Sequence, residues 1–251
     1  MTDRNLAQVD APKQSAVPSA PLKIALRHKL ARRWRACRCW ARYSLIGRHR
    51  GVPGLIDLVV ADHPFGAMQV RSELLGLGEL LAKLHPEQAL EIGTAGGGTL
   101  LFLTRLASPR AKIVSMDLQD GGHFGPSYAP RRKWFYEHFA RGQQRIKLLL
   151  GDSHSAEMLE AVKAEFPSGA LDYLFIDGDH RYEGVKKDFE MYGPMVRKGG
   201  LIAFHDIVEG SSEFVGGVPR FWREVRSQYR HAEFIHDPLQ GGFGIGVLYV
   251  D

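Results

Sequence analysis

The 251-residue sequence predicts an α/β fold: a doubly wound, mostly parallel sheet that closes with a C-terminal antiparallel hairpin and is preceded by an N-terminal helical extension. Three observations predict it. From Ala89 onward, short apolar runs alternate with stretches whose apolar residues recur every three or four positions, joined by short connections. Between the first run and its helix lies Gly93-Thr94-Ala95-Gly96-Gly97-Gly98, four glycines in six residues, the composition of a tight strand-to-helix turn. Five successive apolar runs end in an acid, at Glu91, Asp117, Asp152, Asp177 and Asp206. In open α/β sheets ligands bind beyond the carboxyl ends of the strands, so these acids are expected to face one crevice.

Composition sets the class. Hydrophobic residues make up 44% and charged residues 24% of the chain, as in an ordinary globule. No apolar run approaches the roughly 20 residues that cross a bilayer. Residues 1–20 are polar, rich in Pro, Ala and Ser, and lack the apolar core of a secretory signal; a disordered tail and a cytoplasmic protein are expected. The two cysteines, Cys37 and Cys39, stand too close together to staple a fold and are too few for structural zinc. Free thiols in a reducing compartment are the simplest reading.

The N-terminal extension is charged differently from the rest. Residues 1–50 hold twelve Lys/Arg against two Asp/Glu, and residues 51–251 hold 21 against 26. Leu26, Leu30, Trp34, Cys37, Ala41 and Leu45 step by three or four, predicting a basic amphipathic helix over residues 21–50. Such a helix packs on its own domain, forms a homodimer contact, or lies on an anionic membrane surface through residues 22–50. Nucleic acid is not expected, because no base-stacking aromatics are interleaved with the charges.

The remaining elements follow in order. Residues 51–87 read as a connector and a helix: Gly51–Gly66 is punctuated by Pro and Gly around one apolar patch, Leu55–Val60, and Val70, Leu74, Leu77, Leu81 and Leu84 predict a helix that stops before Pro86. Residues 88–251 form the main domain. After the glycine turn a helix runs from Thr99 to Leu106, and Lys112–Leu118 is the second strand. Gln119–Pro130, with His123, Phe124 and Tyr128, is a rim loop, followed by a helix over Arg131–Arg141 and a third strand, Arg145–Leu150. Met158, Val162 and Phe166 mark the next helix. Leu171–Ile176 is strand four, Val185, Phe189 and Tyr192 line a helix, and Leu201–Phe204 is strand five. A helix over Pro219–Tyr229 and two strands, Ala232–Ile235 and Phe243–Val250, complete the chain.

The glycine turn carries the first chemistry. A dinucleotide fingerprint needs a glycine two residues after the first, and position 95 is alanine. What remains is Glu91-x-Gly93-x-x-x-Gly97-x-Thr99, in which an acid at the strand end repels a pyrophosphate and welcomes a cationic group. A ligand bearing an amino acid and a sulfonium fits this better than a dinucleotide. The segment resembles motif I of the class I S-adenosylmethionine-dependent methyltransferases, in particular the catechol-type and small-molecule O-methyltransferases, and so implies their Rossmann-like sheet and S-adenosyl-L-methionine as cofactor. Glu91, Gly93, Thr94, Gly97 and Thr99 fall on the cofactor side. Asp117, nineteen residues after Gly98, stands where an acid accepts ribose hydroxyls. Gly151-Asp152-Ser153-His154 offers polar groups to an adenine ring, Asp152 and Ser153 foremost. The helix before the first strand lids the cofactor in such enzymes.

Asp177-Gly178-Asp179-His180 after strand four and His205-Asp206 after strand five form a second cluster, rich in the carboxylates that a hard divalent cation takes. Its arrangement resembles the metal site of divalent-cation-dependent O-methyltransferases, nearest to the macrolide-sugar, rhamnosyl and mannoside enzymes and the cephalosporin hydroxylase-like group. That resemblance implies Mg2+ held by Asp177, His205 and Asp206, and an acceptor hydroxyl on a sugar, glycan or natural product. His205 departs from the family pattern, where the adjacent pair is two carboxylates or a carboxylate and an amide. His180 is the first choice as base, since imidazole titrates near neutrality, and Asp179 the second. Two other readings stand beside this one: a metal-independent enzyme on the same fold, and a non-catalytic scaffold acting through the basic arm.

Overall fold

The computed structural model describes residues 51–60, 66–119 and 130–251; the basic helix and most of the rim loop expected from the sequence lie outside the described residues. Seven strands form one sheet, β1 (Gln88–Ile92), β2 (Lys112–Asp117), β3 (Arg145–Leu150), β4 (Leu171–Ile176), β5 (Val196–His205), β6 (Arg230–Phe234) and β7 (Ile245–Tyr249), in the order β3-β2-β1-β4-β5-β7-β6. The first five pair in parallel, and β7 inserts antiparallel between β5 and β6. Because β1 pairs with β2 on one side and β4 on the other, the winding reverses there, and a crevice opens at the carboxyl ends of those two strands.

Alternation along the strands divides the core into two layers. Tyr173 and Phe175 of β4 face one layer, and Leu174 and Ile176 face the other. The first layer is covered by α1 (Gly51–Val59), α2 (Arg71–Leu84) and α3 (Gly98–Leu106), and includes Phe135 from α4 (Pro130–Glu137). The second is covered by α5 (Ala156–Glu165), α6 (Tyr182–Tyr192) and α7 (Val218–Val225), with Val162, Val185 and Trp222 buried against it. All six residues of β4 are buried, which is why its sequence is almost continuously apolar. Edge strand β3 instead exposes Arg145 and Lys147, charges that discourage edge pairing.

The elements match the sequence reading except at the margins. Gly51–Val59, expected to be a connector, is a helix. Proline is tolerated in a first helical turn, and burial of Leu55, Ile56, Leu58 and Val59, worth about 1.5–3 kcal/mol each, outweighs about 1 kcal/mol for an interior glycine. Its partner helix α2 accommodates it through Gly78, where a Cβ would lie 2.5 Å from Val52 Cγ1. The α2 helix ends at His85 in a left-handed cap (φ 47°), one residue before Pro86. β5 extends beyond its apolar run to Val196, and α7 stops at Val225 before a single 3-10 turn. Among the described residues no helix is long and apolar enough to cross a membrane.

Candidate active site

The glycine turn leaves β1 and enters α3, and internal packing demands its composition. Gly93 has φ 93°, and a Cβ there would lie 2.0 Å from the Asp177 carbonyl oxygen. Gly97 has φ 82°, with Tyr136 within 2.4 Å of its would-be Cβ, and Gly98 is pressed against Ala67. The sequence suggested that glycines let a ligand approach; these three let the turn seat on β4, α4 and the segment before α2. Asp117 shapes the same turn: its Oδ2 accepts from the Thr94 and Ala95 amides at 3.2 and 2.9 Å, and Oδ1 from Leu118 N at 2.7 Å. Carboxylate oxygens have further lone pairs, so ribose hydroxyls remain compatible with this role.

Glu91 lies below the turn, buried, accepting from Ser115 Oγ at 2.6 Å, and Ser115 in turn meets Thr94 Oγ1 at 2.5 Å. Burial pushes its carboxyl up to about 8, against the hydrogen bonds of Ser115 and Thr99. Its Oε1 is buried with no protein partner. An orphaned acceptor at the base of a turn facing the crevice fits an ammonium or other donor brought by a ligand. Asp152, just beyond β3, is exposed and accepts from His154 N at 2.9 Å, while the Ser153 carbonyl accepts from Tyr192 Oη at 2.6 Å. His154, expected to face the ligand, turns inward instead. Its Nε2 stands 3.2 Å from the fully buried carboxylate of Asp188, which raises the imidazole's pKa and braces the β3 tip against α6.

On the other side of the crevice, the tips of β4 and β5 bring two carboxylates and two imidazoles together. His205 Nδ1 lies 3.2 Å from Asp177 Oδ1 and 3.3 Å from Asp206 Oδ2. His180 Nε2 lies 3.6 Å from Asp177 Oδ1, and its Nδ1 lies 3.5 Å from Asp206 Oδ2 and is hydrogen-bonded to the Phe214 carbonyl. Burial opposes both imidazolium charges, but the carboxylates win: His205 is raised to about 10 and His180 to about 9. Burial likewise opposes the Asp177 carboxylate, and His205 and His180 outweigh it, holding it at about 2. Asp177 and the two imidazoles therefore favour their charged forms through one another.

One atom each from Asp177, His180 and Asp206 lies within 4.8 Å of the others, close enough to share a cation. Among the described residues this donor set, two carboxylate oxygens and one imidazole, suits a hard divalent ion. His180 joins this group, and His205, the ligand that the resemblance implies, approaches the same two carboxylates through Nδ1. His205 sits between the two carboxylates, with Nε2 buried and unpartnered.

Asp179, the alternative base, faces elsewhere. It accepts from the Arg181 amide and guanidinium at 2.9 to 3.0 Å and lies beneath Gly184, where a Cβ would come within 2.2 Å of it. Burial raises its pKa and Arg181 more than cancels this, so the group stays acidic and holds the start of α6. Sequence reasoning passed over Gln69, whose Nε2 donates to Asp177 Oδ2 at 3.2 Å. A single polar residue in a Pro/Gly connector gives no pattern to find.

Comparison with known proteins agrees with this geometry. Residues 90–207, just under half the chain, match the family described as a methyltransferase domain. The chain is 28% identical over 126 residues to mycinamicin VI 2''-O-methyltransferase of Micromonospora griseorubida, covering 48% of this chain and 27% of that protein. It is 26% identical over 153 residues to catechol O-methyltransferase B of Danio rerio, covering 60% of this chain and 52% of that one. The chain thus spans about a quarter to about half the length of these curated relatives. An O-methyltransferase from Bacillus cereus solved in complex with SAH shares the fold, with TM-score 0.55 and 17% identity over 85% of this chain and 97% of that one.

Proposed function

We propose that this chain, which belongs to the class I S-adenosylmethionine-dependent methyltransferases, transfers a methyl group to a hydroxyl of a small molecule such as a sugar, glycan or natural product, with Mg2+ assistance. One observation carries the reading: the cluster of Asp177, His180, His205 and Asp206 abuts the glycine turn, with the Asp177 carbonyl at the place a Gly93 side chain would fill. Donor and acceptor sides therefore share a wall. When bound, S-adenosylmethionine supplies the electrophilic methyl and a divalent cation makes the acceptor hydroxyl more acidic.

The protein's own groups bind, orient and move a proton. On the donor side, Glu91 Oε1 accepts the amino group, Gly93, Thr94, Gly97 and Thr99 shape the cradle, Asp117 faces the ribose, and Asp152 with Ser153 borders the adenine. On the acceptor side, Asp177 and Asp206 hold the cation and His205 keeps the two carboxylates side by side. The Phe214 carbonyl accepts a hydrogen bond from Nδ1 of His180, and a cation held by Asp177 and Asp206 would offset the carboxylate charge that keeps this imidazole protonated, leaving Nε2 free to accept a proton. That nitrogen is the proton acceptor. A second reading makes His180 Nε2 the third ligand, favoured by the 4.8 Å cluster; one lone pair cannot do both at once.

Calorimetric titration tests the cofactor half, and turnover with and without EDTA tests the metal half. Binding of S-adenosylmethionine and loss of turnover on chelation, restored by Mg2+, are expected; turnover that survives EDTA removes the cation from the reading. The basic residues 22–50, proposed as a homodimer or membrane-surface contact, are tested by deleting residues 1–50 and measuring oligomeric state and vesicle binding.

A further inference from the structure

Each carboxylate of the cluster has one oxygen tied from outside it. Asp177 Oδ2 accepts from Gln69 Nε2 at 3.2 Å, and Asp206 Oδ1 accepts from Phe243 N at 3.0 Å. The other oxygen of each, Asp177 Oδ1 and Asp206 Oδ2, is the one that lies 3.2 to 3.6 Å from the imidazoles of His180 and His205. The last torsion of an aspartate is broad and nearly two-fold, so a donor held against one oxygen decides which oxygen the cluster meets.

Both ties lead back to the start of α2. Gln69, two residues before the helix, makes one directly. The other runs through Glu73 in the first turn, a fully buried carboxylate. Its Oε2 accepts from Gly244 N at 3.0 Å, and its Oε1 from Gln240 Nε2 at 2.7 Å and His236 N at 3.4 Å. The amide of Gly244 follows directly on the Phe243 amide that holds Asp206, so consecutive amides of one loop donate to two carboxylates. Three donors converge on Glu73, which an acceptor-only group satisfies; an amide at position 73 would set its own N–H groups against theirs. The loop needs such a hold. Phe243 and Asp206 are both left-handed, with φ of 60° and 59°, and strain of this kind persists only where neighbours over-determine it.

We propose that Gln69 and Glu73 are positioning residues for the cation site: Gln69 orients Asp177, and Glu73, through the loop of residues 240–244, orients Asp206, so that one chosen oxygen of each carboxylate faces the cation. This rests on the methyltransferase reading and adds two residues that it leaves without a role. The segment that carries them is itself anchored, since Ala67 N donates to the Val59 carbonyl at 2.7 Å and Ala67 packs against Gly98 of the glycine turn. One short stretch, residues 67–73, therefore touches the turn and sets both carboxylates across the crevice from it.

The full chain, saturated with S-adenosylhomocysteine, is titrated calorimetrically with MgCl2 as parent, Gln69→Leu and Glu73→Gln. Each variant is expected to bind Mg2+ about tenfold more weakly than the parent, with S-adenosylhomocysteine affinity unchanged. Gln144→Leu is the control for a general loss of stability. Gln144 Nε2 donates to the Thr104 and Ser108 carbonyls at 2.9 Å beside the amino end of β3, at the opposite end of the parallel strands from the crevice. Its removal should lower the melting temperature and leave Mg2+ affinity at the parental value. Should Glu73→Gln not fold, Gln240→Ala takes its place, removing one of the three donors to Glu73, with an expected loss of about threefold. Parental Mg2+ affinity in Gln69→Leu, or in the variant that tests Glu73, would overturn the proposal for the carboxylate concerned, and an equal weakening in Gln144→Leu would overturn it for both. A parent that binds S-adenosylhomocysteine but no Mg2+ would instead remove the cation from the methyltransferase reading, and a parent that binds neither would remove that reading itself.

Discussion

The two halves of the crevice, proposed to hold methyl donor and acceptor, are built from the same material, an acid at or near each strand tip, and they treat its charge in opposite ways. In the donor half Glu91 is buried without a cation and its carboxyl is pushed up to about 8, so it sits neutral at pH 7. Asp117 is satisfied by three backbone amides. In the acceptor half Asp177 and Asp206 face two imidazoles, and every member of that cluster with a resolved shift is pushed toward its charged form. The same topological position therefore yields a hydrogen-bonding scaffold in one place and an ionic cluster in the other. What separates them is the presence of His180 and His205, not the acids.

Removing charge from each half breaks or sharpens this contrast. The largest effect is expected from Asp177→Asn, which leaves His205 and His180 with one carboxylate and takes a carboxylate from the proposed cation site. Turnover should fall by about a hundredfold or more, with S-adenosylhomocysteine affinity kept; a variant that retains parental turnover would show that the charge is not used. His180→Asn is next, and separates the two roles of its nitrogen. If His180 is the proton acceptor, kcat falls and Mg2+ affinity measured by calorimetry holds. If it is a ligand, that affinity falls by roughly ten- to a hundredfold.

The smallest effect is on stability and lies in the donor half. Glu91 has a folded pKa above its unfolded value, so its contribution is fully present below about pH 4.5 and is lost as pH rises through about 8. His180 and His205 lose theirs only above about 6.5, and Asp177 loses its contribution below about 3.8. Between pH 4.5 and 6.5 Glu91 therefore titrates without them. Denaturant unfolding should give a stability that declines across that window in the parent and a flatter profile in Glu91→Gln, a difference on the order of a few kcal/mol. Parallel profiles would place the ionised form of Glu91 in the fold.

The doubly wound, mostly parallel class of the sheet and nearly every strand were legible because buried parallel strands read as apolar runs and the helices between them keep a three-to-four step. The first helix was not, since Gly51, Pro53 and Gly54 signal a turn and only the tertiary burial of Ile56 and Val59 overrules them. In the site, the acids could be found from their place at strand ends, and His180 and His205 from their adjacency to Asp177 and Asp206. Their orientation could not: nothing in Asp-Gly-Asp-His tells which acid turns to Arg181 and which to the histidines. Gln69 and Phe243 reach Asp177 and Asp206 from segments far apart in the chain, and only the fold brings them there.

Magnesium titration of the S-adenosylhomocysteine-bound chain, run in parallel on the parent, Glu91→Gln and Asp177→Asn, tests the contrast most directly. The parent and Glu91→Gln should bind the ion with the same affinity, and Asp177→Asn should not bind it measurably. Equal binding by Asp177→Asn, or loss of binding in Glu91→Gln alone, would contradict the division of the crevice into a neutral donor half and an ionic acceptor half.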